Sequence, residues 1–193
     1  MIRIGILGDI GSGKSYLAKK FGYPVFNADF EVEKIYANNK KVFFKLKKIL
    51  PKYLNSFPIK KEEITSAILA NKVNLKKIIK IVHYEVRKKM NIFLKKNKTK
   101  KVIVLDIPLL LENKIYKKKD ILVFIQSNKK DILRRLKKRK NFNKKFISIF
   151  KNIQLPLDYK KKKSQFIVKN YFTNRTIEKN VNNVLNHILK WKK

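Results

Sequence analysis

The octapeptide GDIGSGKS, Gly8–Ser15, limits what this chain can fold into more than any other stretch. It follows a short apolar run, IRIGIL at Ile2–Leu7, and leads into a segment from Lys14 to Phe21 with Tyr16, Leu17 and Phe21 at helical spacing. A strand, a glycine loop and a helix in that order give the pattern GxxxxGK[ST] a mechanism. Glycines let backbone N–H groups converge on phosphate oxygens, and the helix N-terminus adds a positive dipole. Lys14 reaches the terminal phosphates and Ser15 can ligate Mg²⁺. The pattern predicts a nucleoside triphosphate site made by Gly8, Asp9, Ile10, Gly11, Ser12, Gly13, Lys14 and Ser15, and Tyr16, next after the pattern, is counted with them as nucleotide-binding.

The remaining pattern predicts an α/β fold with a parallel sheet flanked by helices. PVFN (Pro24–Asn27) reads as a second short strand, with Asp29 placed to cap a helix through Phe30 to Tyr36. VIVL (Val102–Leu105) and ILVFI (Ile121–Ile125) are unbroken aliphatic runs of the kind that strands buried on both faces require. A last strand is expected at Phe166–Val168. A closing helix follows, with Ile177, Val181, Val184, Leu185 and Ile188 on one face. Between Lys40 and Lys98 there is no strand signal, and a long stripe at Leu75, Ile78, Ile79, Val82, Val86 and Met90 predicts a helical insertion. The expected division is a single unit: a core of 1–36, 100–127 and 164–193, an insertion of 37–99, and a basic helix and lid at 128–163.

With 193 residues, 44% of them hydrophobic, the chain can bury one domain-sized core. It has no cysteine, which removes disulfides and thiolate metal sites and fits a reducing compartment. No apolar run approaches the roughly 20 residues of a membrane span, and MIRIGILG is too short for a signal sequence. The expectation is a soluble cytoplasmic protein without membrane contact. Its 50 Lys+Arg against 13 Asp+Glu give a net charge of +37. Lysine, asparagine, isoleucine and phenylalanine are abundant along the whole length, so the charge reads as composition bias on polar faces. Nucleic acid is then expected to bind nonspecifically if at all.

Chemistry-bearing residues outside the loop are few. Asp29, at the end of the second strand, would sit beside the loop at the carboxyl edge of the sheet, where a carboxylate can take the proton of an attacking hydroxyl. The competing role is a helix cap. Asp106, ending VIVL, has the position of a carboxylate that holds Mg²⁺ through water, or of a turn cap before Pro108. Arg134, Arg135 and Arg139 fall on one helix and could spread charge on a transferring phosphoryl group, but composition does not choose among them. NKKD, Asn128–Asp131, fits a guanine-recognition pattern. Without a DxxG after Asp106, Asn128 reads more simply as a helix cap.

Taken together, these residues resemble the dephospho-CoA kinase family. GDIGSGKS, NAD (Asn27–Asp29), HY (His83, Tyr84), DIPLLLE (Asp106–Glu112), RRLKKR (Arg134–Arg139), QLP (Gln154–Pro156) and FIVKN (ending at Asn170) occur in the family's order and spacing across nearly the whole chain. The resemblance implies a P-loop kinase fold with a core, a helical substrate domain and a lid. It implies transfer of the γ-phosphoryl of ATP, with Mg²⁺, to the ribose 3′-hydroxyl of dephospho-CoA. The family's base falls on Asp29 and its lid arginines on Arg135 and Arg139. Asp29, Lys14 and Arg139 form the implied catalytic set, and Ser15 and Asp106 the metal set. An adenine-side asparagine falls on Asn170, and the acceptor side on His83, Pro108, Leu109, Leu110 and Glu112. The expected partners are the two small-molecule substrates, and the expected state is a monomer or weak homo-oligomer. A kinase of another nucleoside or nucleotide, and a basic nucleic-acid-binding protein on the same scaffold, are the alternatives. The chain departs from the family pattern at Asp9 and Tyr16, at Asn27, at Tyr84, and in lacking a glycine soon after Asn170.

Overall fold

Strands form where the sequence supplies short β-branched and aliphatic runs. A computed structural model of the chain describes residues 1–139 and 142–191. Among them, β1 (Ile2–Gly8), β2 (Val25–Asn27), β3 (Val102–Asp106), β4 (Ile121–Ser127) and β5 (Phe166–Asn170) make one sheet in the order β2-β3-β1-β4-β5. Every pairing is parallel, with Ile4 of β1 opposite Val104 on one side and Ile121 on the other. All five residues of β3 are buried, which explains the absence of alternation in VIVLD. From β1 the chain goes over β3 to β2 and later to β4 on the opposite side. The direction of winding therefore reverses at β1, and its carboxyl end is the crevice where open α/β sheets take ligands.

One sheet face is covered by α1 (Lys14–Lys20) and α9 (Asn174–Trp191). Leu17, Ala18 and Phe21 at the α1 end and Ile177, Val181, Val184 and Ile188 of α9 join Ile4, Ile6, Val104, Val123 and Val168 in a single apolar cluster. Tyr16, expected on the same stripe, is 42% exposed instead, because a helical step of one residue turns it away from Leu17. On the other face, a side chain at Gly5 would meet Leu110 at 2.5 Å and Leu122 at 2.9 Å, so those leucines pack directly on the β1 backbone. The strand IRIGIL also carries Arg3, which is buried and paired with Asp120 at 2.9 Å.

The chain divides into two compact units, the first of Met1–Asn27, Asn97–Phe142 and Lys151–Lys193, the second of Ala28–Lys96 and Asn143–Phe150. The first holds the sheet with α1, α6 (Lys129–Lys137), α8 (Leu157–Lys163) and α9. Asn128 starts α6, accepting a hydrogen bond from the Lys130 N–H at 2.8 Å, so NKKD is spent on a cap. The second unit is helical: α2 (Ala28–Asn38), α3 (Lys40–Ile49), α4 (Lys61–Ala70), α5 (Lys72–Lys96) and most of α7 (Lys144–Asn152). Its core lies along α5, where Leu75, Ile78, Val82, Val86 and Met90 are buried and α2, α3 and α4 pack alongside. Asp29 does not cap α2. The helix already begins at Ala28, which places Asp29 in its first turn, where the helix dipole favours an acidic side chain. No helix among the described residues is long and apolar enough to cross a membrane.

Candidate active site

The loop between β1 and α1 turns through left-handed backbone at Gly11 (φ 83°) and Gly13 (φ 91°), which L-residues with side chains rarely adopt. Space is closed as well as geometry: a Cβ at Gly13 would lie 2.5 Å from the Asn170 amide nitrogen, and one at Gly11 2.9 Å from Leu136 of α6. The loop is tied down from behind. The Ser12 carbonyl accepts from Asn170 Nδ2 at 2.8 Å and from Ser127 Oγ at 3.0 Å, both at the carboxyl ends of neighbouring strands. Ser12 itself is fully buried, and its hydroxyl has no hydrogen-bond partner among the described residues. Lys14 curls over the loop, donating to the carbonyls of Asp9 at 2.7 Å and Gly8 at 3.3 Å. Its ammonium is thereby held over the loop by the loop's own carbonyls.

Asp106 ends β3 directly opposite Asn27 of β2 in register, and Asn27 Nδ2 donates to its Oδ2 at 2.6 Å. Only 3% of Asp106 is exposed. Burial pushes its carboxyl above the ordinary value, while a hydrogen bond from Ser15 and the positive field of Lys14 pull the other way. Ser15 and Asp106 thus converge with Lys14 beside the loop. Sequence reasoning placed Asp106 there but missed its partner: Asn27, seen as a departure, is the amide that holds the carboxylate.

Asp9 turns one carboxylate oxygen back to accept from the Ile10 N–H at 2.7 Å, and its other oxygen lies 3.9 Å from Lys151 Nζ. Asn170, expected on the adenine side, is 2% exposed; besides holding Ser12 it accepts from the Phe172 N–H at 2.8 Å. The Arg135 guanidinium stands 4.5 Å from the centre of the Phe172 ring. Arg139 is exposed past the end of α6, where its N–H closes a turn on Leu136. Of the residues expected on the acceptor side, Leu110 is fully buried and belongs to the core, whereas Pro108 and Leu109 are half-buried. Glu112 is engaged by the chain itself: its Oε1 takes the ammonium of fully buried Lys160 at 2.7 Å and the Leu155 N–H at 2.9 Å. Lys160, one lysine in a run of four, carries no local signal that sets it apart from its neighbours.

Asp29 and His83 belong to the helical unit. Asp29 is exposed on the first turn of α2. His83 lies on α5 with Ile79, Lys80, Tyr84 and Arg87 around a groove of about 320 Å³, two of whose walls are cationic. Among the described residues there is no cluster of three or more histidine, cysteine or acidic side chains that could cage a metal.

The model of the family described as dephospho-CoA kinase matches residues 2–175. A dephospho-CoA kinase of a Wolbachia species from Brugia malayi is 34% identical over 170 residues, covering 86% of this chain and 87% of its own length. Two solved structures share the fold. A Thermus thermophilus protein superposes with a TM-score of 0.76 at 23% identity, covering 97% of each chain. A Campylobacter jejuni dephospho-CoA kinase does so with a TM-score of 0.68 at 22% identity, covering 99% of this chain and 98% of the other.

Proposed function

The chain belongs to the dephospho-CoA kinase family, and from that premise we propose how its residues divide the transfer of a phosphoryl group from ATP to the ribose 3′-hydroxyl of dephospho-CoA. The observation that carries this reading is the phosphate loop at the carboxyl end of β1, with Lys14 laid over its carbonyls and the Ser15–Asp106 pair beside it. Backbone N–H groups of Gly8–Ser15 and the Lys14 ammonium bind the polyphosphate. Asp29 takes the proton of the acceptor hydroxyl as its oxygen bonds to the γ-phosphorus. The bond to the β-phosphate oxygen breaks, and ADP leaves. Arg139 and Arg135 donate to the phosphoryl oxygens as charge spreads over them. His83, with Lys80 and Arg87 near it, suits an anionic acceptor, and Pro108 and Leu109 supply apolar contact.

A hydroxyl and a buried carboxylate are the hard oxygen donors that suit Mg²⁺, an ion usually bound through one or two carboxylates together with substrate phosphates. Ser15 and Asp106 would hold it, and when bound it supplies positive charge at the β- and γ-phosphate oxygens. The segment 128–163, of which residues 140 and 141 lie outside the described residues, is assigned as the lid.

The test is ADP release from ATP and Mg²⁺ against dephospho-CoA, nucleoside monophosphates and shikimate. Dephospho-CoA alone is expected to support turnover, with the new phosphate on the ribose 3′-oxygen. Asp29→Asn should lower kcat by about a hundredfold or more while leaving the KM values within a few-fold, and Lys14→Ala should abolish turnover. Near-normal kcat in Asp29→Asn would remove the base assignment without touching the substrate assignment, whereas turnover of a different acceptor would do the reverse.

A further inference from the structure

At the amino ends of β4 and β5 lies a cavity of about 300 Å³ lined by Lys118, Lys119, Asp120, Ile121, Gln165 and Trp191. From there β4 runs seven residues, about 20 Å, to Ser127, whose hydroxyl holds the phosphate loop. The phosphoryl transfer described above uses none of these residues. Trp191, the chain's only tryptophan, ends α9 and is 64% exposed. Phe166 of β5 meets it edge-to-face at 6.0 Å and 82°, which fixes the indole while most of its surface stays open. Gln165 is fixed as well. Its Oε1 accepts from the Leu122 N–H at 2.7 Å and its own N–H donates to the Leu122 carbonyl at 3.0 Å, so the amide NH₂ is the end left to donate. Asp120 does not oppose an anion, because its charge is met inside the fold. Its Oδ2 takes Arg3 at 2.9 Å and the Lys117 N–H at 2.8 Å, and its Oδ1 is buried out of a ligand's reach. Lys118 and Lys119 are exposed, and their two charges outweigh the roughly half negative charge at the carboxyl end of α9.

We propose that this cavity is a separate nucleotide site, which takes a nucleoside monophosphate with its base on the Trp191 indole and its phosphate between Lys118 and Lys119. An indole face stacks on any nucleobase without reading its edges. Two adjacent ammoniums suit a phosphate dianion better than a single carboxylate. A volume of about 300 Å³ is at the small end for ligand pockets, which fits a mononucleotide rather than a larger cofactor. The proposal stands independently of the kinase reading.

The lone tryptophan reports on the site directly. The experiment titrates AMP and GMP into the full chain while reading tryptophan emission, with adenosine, ribose 5-phosphate and inorganic phosphate as competitors of AMP. AMP is then repeated with Lys14→Ala, with Lys118→Gln/Lys119→Gln, and with Lys40→Gln/Lys41→Gln as an equal loss of charge elsewhere. AMP and GMP should quench saturably and with similar affinity, and the three competitors should bind about tenfold or more weakly. The AMP affinity should stay within about twofold in Lys14→Ala and in Lys40→Gln/Lys41→Gln, and fall about tenfold or more in Lys118→Gln/Lys119→Gln. Trp191→Leu lies at an exposed helix end and should leave the melting temperature unchanged, yet remove one bound AMP in equilibrium dialysis. The proposal is overturned if AMP gives no saturable quench, or if Lys14→Ala abolishes it, since the signal then comes from the phosphate loop. It is equally overturned if the charge control loses as much as the Lys118→Gln/Lys119→Gln variant, which would reduce the effect to the protein's overall field. Ribose 5-phosphate binding as tightly as AMP would remove Trp191 as the platform and the proposal with it.

Discussion

At the scale of single residues, the site trades stability for charge. Asp106 is buried with its carboxyl raised by desolvation, so the native state binds a proton more readily than the unfolded chain. Stability must therefore fall as pH rises from the ordinary carboxylate value, about 4, through the raised native value, and the full penalty remains at neutral pH. Asp106→Asn keeps an acceptor for Asn27 but removes the charge. Thermal melts should show it more stable than the unmodified protein at pH 7, with the gap closing below about pH 4. Its turnover should be down about a hundredfold or more. Asp9 is a second acidic residue, on the proposed phosphate loop, partly neutralised by Lys151 at 3.9 Å. Asp9→Gly should lower the KM for ATP several-fold, and Lys151→Met alone should raise it, both read from initial rates at fixed dephospho-CoA. A KM that rises in Asp9→Gly would mean that the carboxylate's bond to the Ile10 N–H matters more for loop shape than its charge does.

At the scale of elements, the segment after β3 is fastened to the connection between α7 and α8 by Lys160, whose ammonium reaches Glu112 at 2.7 Å and Gln154 at 3.0 Å inside the core. Removing one member of such a pair leaves an uncompensated buried charge. Lys160→Met should cost about 3 kcal/mol in urea unfolding, and pairing it with Glu112→Gln, which still accepts from the Leu155 N–H, should restore most of that. This fastening illustrates what local pattern cannot carry. Strands β3 and β4, the stripe of α5 and the cap at Asn128 were readable because each is set by its own neighbours in sequence. The phosphate loop was readable because its glycines follow from backbone geometry. Lys160 looks like Lys161 and Lys162 until a carboxylate 48 positions earlier is folded against it, and Asn27 looks like a lost carboxylate until Asp106 lies opposite. Tyr16 was misplaced because a seven-residue helix offers too little periodicity to tell which of two adjacent apolar residues faces inward.

At the scale of the whole molecule, the net charge of +37 acts on every anionic ligand at once. Raising ionic strength from about 50 to 300 mM should increase the KM for both ATP and dephospho-CoA several-fold with little change in kcat, because attraction at a distance is screened while contacts inside the site are not. A KM insensitive to salt would show that the lysines serve only the protein's own surface. The topology bears on how the protein comes into being. Strand β1 leaves the ribosome before the strands that flank it, β3 beginning about 100 residues later and β4 about 120. At translation speeds of roughly 5–20 residues per second, the nascent chain keeps an apolar strand without lateral partners for some 5–20 s. Chains stalled before Val102 should thus be open to protease at the Ile2–Leu7 strand and seek chaperones, even though the finished enzyme gives no sign of that need.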